Sequence, residues 1–81
     1  MNEVGKVTHY YGKIGVAIIE LSGSLKVGDK IKVEGNRTEF EQPVQSLEVD
    51  RKSVESAKKG DVVGLKVVER VNEGAAVYKL E

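Results

Sequence analysis

Nowhere in this chain do apolar residues keep up a 3.6-residue period. They come instead in short runs rich in Val and Ile, each bounded by Gly, Asp, Asn or Ser. That punctuation constrains the fold more than any other feature, because a run of five to eight residues between turn formers suits a strand and leaves no length for a packed helix. An all-β domain is the expectation. With 81 residues the chain can build one compact core, since a domain of this size buries only about 60 to 65 percent of the surface its unfolded form exposes. The expected organisation is therefore a single domain over residues 1–81. Cysteine is absent and His9 is the one histidine, so stability rests on packing and backbone pairing, and neither a disulfide nor a cysteine- or histidine-rich metal site is available.

The runs can be followed along the chain. The first, Val4 to Tyr11, alternates Gly5, Val7, His9 and Tyr11 against Val4, Lys6, Thr8 and Tyr10; Val7 against Lys6 favours the first set as the inner face. Gly12 to Gly15, "GKIG", supplies a turn into "GVAIIEL", with Ala17, Ile19 and Leu21 inward. Leu25 and Val27 anchor a loop, Gly28 and Asp29 form a structural turn, and "KIKVE" then sets Ile31 and Val33 inward. After the turn at 35–39 comes "FEQPVQSLEVD", with Pro43 placed best at an edge or bulge. Val44 and Leu47 break the two-residue period, and a bulge near Gln45 or Ser46 would return both to one face. "SVESAKK" is the one segment able to form a short helical turn, with Ser53 as N-cap and Gly60 beyond its end. Gly60 and Asp61 then turn into "DVVGLKVV", where Val63, Leu65 and Val67 share a face and Gly64 marks a close backbone approach. "AAVYKL" closes the chain. Six strands with evenly spaced turns predict a small closed antiparallel barrel, which would also remove exposed strand edges.

The order of "VGKV", "LKVGDKIKVEG", "FEQPVQSLEVDRKSVESAKKGDVVGLKV" and "VNEGAAVYKL" resembles the second domain of translational GTPases such as elongation factor Tu. The most telling part is the pairing of "VGDKI" with the later "AKKGDVVGL". The resemblance covers nearly the whole chain and implies the translation-factor domain 2 barrel. The sequence is also similar to the small C-terminal barrel of collagenase-like peptidases, where the barrel is an accessory apart from the catalytic machinery. The "GxxxxGK[ST]" loop that a GTPase needs is missing, so no GTP binding is expected. In elongation factor Tu the domain helps hold the aminoacyl end of transfer RNA. The resemblance thus implies transfer RNA or the ribosome as a partner, while the peptidase likeness implies a protein partner, either an enzyme on which the module docks or a second copy of itself.

Two segments are candidates for RNA contact. In "THYYGK", Tyr10, Tyr11 and Lys13 offer aromatic faces and a cation, half of what a nucleic-acid surface uses; equally, one Tyr can fill the core while the other pairs across strands. In "DRKSVESAKK", Arg51, Lys52, Lys58 and Lys59 form the most basic local cluster, which a solvated mixed-charge loop explains as well. Lys26, Lys30 and Lys32 could extend that surface or be the outward half of a strand. The charges balance, 13 Lys and Arg against 13 Asp and Glu, so any attraction to nucleic acid must be local. Lys and Glu, ten each, fit the surface ion-pair networks of heat-adapted proteins.

Enzymatic chemistry has no foothold in the pattern. His9 lacks a nucleophile or orienting carboxylate at an identifiable spacing, no Ser sits in a "GxSxG" elbow, and no carboxylate pair stands out among the glutamates. A non-catalytic protein without cofactor is expected. The polar start and the lack of an apolar stretch near 20 residues predict a cytoplasmic chain without a membrane span.

Overall fold

The computed structural model describes residues 2–80, and every regular element among them is a strand. β1 (Asn2–Tyr11) and β2 (Val16–Leu21) form a hairpin around the 12–15 turn. β10 (Ala76–Leu80) pairs with the other edge of β1, β4 (Lys30–Glu34) pairs with β10, and β5 (Glu39–Pro43) is the outer strand on that side. On the β2 side follow β9 (Val62–Lys66), β6 (Leu47–Val49) and β7 (Lys52–Val54). The eight-stranded sheet is thus ordered β5-β4-β10-β1-β2-β9-β6-β7, all antiparallel. A separate two-stranded ribbon joins β3 (Leu25–Lys26) to β8 (Ser56–Ala57).

The period-two pattern places the core as the sequence indicates in the middle strands. Ala17, Ile19, Leu21, Ile31, Val33, Val63, Leu65 and Val67 are all buried, joined by Leu25, Leu47, Val71 and Val77. Each large aliphatic side chain taken fully out of water contributes roughly 1.5–3 kcal/mol.

Four expectations are corrected. The sheet is open, ending at β5 and β7, and has eight strands rather than the six of a closed barrel. "FEQPVQSLEVD" is two strands, β5 at one end of the sheet order and β6 next to the other end; Val44 and Leu47 are both buried because the chain crosses between the strands through residues 44–46, where Val44 bonds to the 28–29 turn and not to a sheet strand, so no bulge is involved. Residues 53–59 form no helical turn. Asp50 and Arg51 take φ of 53° and 66°, the positive values of a two-residue hairpin, and this folds β7 back on β6 before β8 pairs with β3. In β1 the inward set holds only through Val7: a register shift between Val7 and His9 exchanges the faces, so Tyr10 packs on the core and Tyr11 is 49% exposed.

An open sheet leaves the end of its core to be sealed by other means. Gln42 on β5 is 3% exposed. Its Nε2 donates to the Lys66 carbonyl at 2.9 Å, and its Oε1 accepts the Val68 N–H at 2.8 Å. One side-chain amide therefore stands in for a strand-to-strand bond between β5 and the chain leaving β9, and its own buried polar atoms are satisfied.

Candidate functional site

The aromatic and basic candidates lie at different ends of the sheet. Tyr11 pairs with Val16, which pairs with Lys66 at the end of β9, whereas the turn carrying Lys58 and Lys59 leads into Val62 at its start. Four residues of strand separate the two ends by roughly 13 Å. Tyr10 and Tyr11 also face opposite sides. The Tyr11 ring meets His9 edge-on with centroids 4.4 Å apart, and His9 Nδ1 lies 3.3 Å from Glu73 Oε2. Lys13 is exposed in the 12–15 turn. Arg51 and Lys52 belong to the β6–β7 hairpin, which runs toward the Val62 end of β9. Among the described residues no group of three or more His, Asp or Glu side chains gathers as metal ligands do.

What the fold does bring together is Lys58 and Lys26, through two copies of one turn. In Lys26–Asp29 the Asp29 N–H donates to the Lys26 carbonyl at 3.1 Å, while Asp29 Oδ2 accepts the Lys26 N–H at 3.0 Å. In Lys58–Asp61 the same two bonds measure 3.0 and 3.0 Å. The third residue of each turn, Gly28 or Gly60, has φ of 98° or 94°, which a type II turn demands and only glycine adopts at no steric cost. Both turns extend the β3–β8 ribbon, in which Leu25 pairs with Ala57 and Lys26 with Ser56, and Val27 N–H donates to the Glu55 carbonyl at 2.8 Å. Leu25 and Ala57 are buried. Alternation therefore sends Ser24, Lys26, Ser56 and Lys58 to the outer face, where all four are exposed.

These four residues line a groove of about 460 Å³, together with Asp61 and Lys79. Lys79 Nζ is 3.3 Å from Asp29 Oδ2. Lys26 and Lys58 make no ion pair among the described residues, in contrast with the two lysines of β4. Lys30 meets Glu41 at 3.9 Å, and Lys32 meets Glu39 at 3.0 Å and Glu34 at 3.6 Å. The hydrogen bond from Lys32 to Glu39, aided by the charges of Glu39 and Glu34, holds its pKa above the ordinary lysine value. Of the lysines around the first turn, then, Lys26 adds to a basic surface while Lys30 and Lys32 are neutralised. The sequence shows both Lys-x-Gly-Asp stretches, but not that a two-residue ladder lays them side by side.

The family model for elongation factor Tu domain 2 matches residues 12–73. The chain belongs to the elongation factor Tu domain 2 family. The match runs from the first hairpin turn past β9. The two strands outside it, β1 and β10, pair with each other. Among relatives, an uncharacterized protease of Methanocaldococcus jannaschii is 45% identical over 80 residues, covering 98% of this chain and 20% of that protein. A collagenase of Porphyromonas gingivalis is 34% identical over 80 residues, covering 96% of this chain and 22% of the collagenase. The chain spans about a fifth of the length of these curated relatives. In fold it matches the solved C-terminal domain of a Geobacillus thermoleovorans protein assigned to the U32 peptidases, with a TM-score of 0.93 at 18% identity, covering 98% of this chain and 100% of that domain. This elongation factor Tu domain 2 fold thus recurs as a discrete unit in proteins described as peptidases.

Proposed function

We propose that the chain is a non-catalytic accessory module that docks on the remainder of a peptidase-like protein. The observation that carries this reading is one of coverage: nearly all of the chain aligns with relatives described as proteases, yet it accounts for only 20% and 22% of their length. The match in fold to a peptidase C-terminal domain supports the same assignment. Transfer RNA binding, which the family resemblance implies, would draw on Tyr10, Tyr11 and Lys13 together with Arg51, Lys52, Lys58 and Lys59, and these are divided between the ends of β9.

The test is calorimetric titration of the full chain into the M. jannaschii relative expressed without its matching segment. That segment, supplied separately, is the positive control. Saturable binding of both is the expected result. Binding of the control segment alone, or saturable, salt-sensitive binding of transfer RNA by a chain that ignores the peptidase remainder, would overturn the proposal.

A further inference from the structure

We infer that the groove between the twin turns binds an extended acidic peptide segment, with its carboxylates held by Lys26 and Lys58. The inference rests on the accessory-module reading and names the chemistry of what the module recognises. Its first support is charge. Lys26 and Lys58 are without ion partners among the described residues and outweigh the one unpaired carboxylate of the groove, Asp61, while Lys79 is matched by Asp29. On the outer face of the ribbon Lys26 lies across from Ser56. One step further, beyond the ladder, alternation brings Lys58 across from Ser24. The two lysines are thus diagonal neighbours, within reach of a common anion, and two hydroxyls stand between them as further donors.

The second support is rigidity. Both lysine backbones are fixed by a reciprocal pair of bonds to Asp29 or Asp61, so the two side chains leave the ribbon from defined positions and less backbone freedom is lost on binding. The third is the character of the surface. No aromatic side chain lines the groove, which leaves nothing for a nucleobase to stack on. Because Val27 and Glu55 form a bonded pair across the ribbon, the alternation of an antiparallel ladder turns the N–H and C=O of Ser56 away from β3. An extended peptide laid along β8 can take up those groups and present alternate side chains to the lysines.

The experiment uses fluorescence anisotropy with a labelled peptide of alternating Glu and Val, its counterpart with Gln for Glu, and an oligouridylate of equal charge. The expected result is that the Glu peptide binds at least about tenfold more tightly than either alternative. Charge reversal by K26E with K58E should weaken it by at least about tenfold, while K13E with K52E, the same change in net charge outside the groove, should leave it unchanged. Circular dichroism melts confirm that each variant is folded. Equal affinity for the Glu and Gln peptides, tighter binding of the oligouridylate, or insensitivity to K26E with K58E would each overturn the assignment. If the groove variant still docks on the peptidase remainder, only the groove assignment falls. Loss of docking by the unaltered chain would remove the accessory reading itself.

Discussion

The turns Lys26–Asp29 and Lys58–Asp61 are the same structure placed in two settings. Beyond their internal bonds, each clasps one buried residue in the same way. Gly28 N–H donates to the Val44 carbonyl at 2.9 Å while Asp29 O accepts Val44 N–H at 2.8 Å; Gly60 and Asp61 do the same with Leu21, at 3.0 and 2.9 Å. The difference lies in one side chain. Asp29 meets Lys79 on β10 and keeps a side-chain exposure of 13%, whereas Asp61 has no cationic partner among the described residues. Backbone geometry is therefore repeated in full while charge pairing is not. The second turn leaves its carboxylate at the groove, and the first has its own neutralised.

The sharpest way to test that equivalence is through the glycines. Gly28→Val and Gly60→Val should each destabilise the fold by about 1–3 kcal/mol, because a β-branched residue is strained at positive φ. Neither site has an atom within 4 Å of the added Cβ to make the two costs differ. Paired urea denaturation curves measure this, and a gap above about 1 kcal/mol would break the comparison. A smaller effect is expected from the aspartates. Asp61→Ala should cost about 1 kcal/mol, as for the loss of a capping side chain that holds a backbone N–H. Asp29→Ala should cost up to about 1 kcal/mol more through the lost ion pair, and the excess should shrink in about 1 M salt. The smallest effect belongs to Lys79→Met, under about 1 kcal/mol. A double-mutant cycle should couple Lys79 to Asp29 and give no coupling to Asp61.

How much of this was legible depended on the length of each signal. Strands of five or more residues with alternating burial, such as 30–34 and 62–66, could be read directly, and so could their inward faces, because a two-residue period leaves little choice. The two-residue strands β3 and β8 carry no period at all. They exist because the flanking turns bring them together, so an isolated reading of "SVESAKK" favours a helical turn that tertiary pairing overrides. The bulge in β1 was hidden for a related reason: Val4, Gly5 and Val7 are all buried, and nothing local to "THYY" reveals that Tyr10 takes the inner side. Gln42 reads as an ordinary polar residue on an edge strand, since its partners lie 24 and 26 residues away. At the candidate site, Lys58 stood out only as part of a basic stretch. Its association with Lys26 depends on a ladder that joins segments 30 residues apart, and no spacing rule within either segment encodes that.

The strand order has a consequence for how the domain is assembled. β10, the last of the ten strands in chain order, occupies an interior position in the sheet, between β4 and β1. Until Ala76–Leu80 are available, the β4–β5 hairpin and the β1–β2–β9–β6–β7 block have no ladder joining them, and the unpaired edges of β4 and β1 face each other across the missing strand. Pairing β1 with β10 closes a loop of nearly all the described residues, an entropic cost that comes before the contacts that reward it.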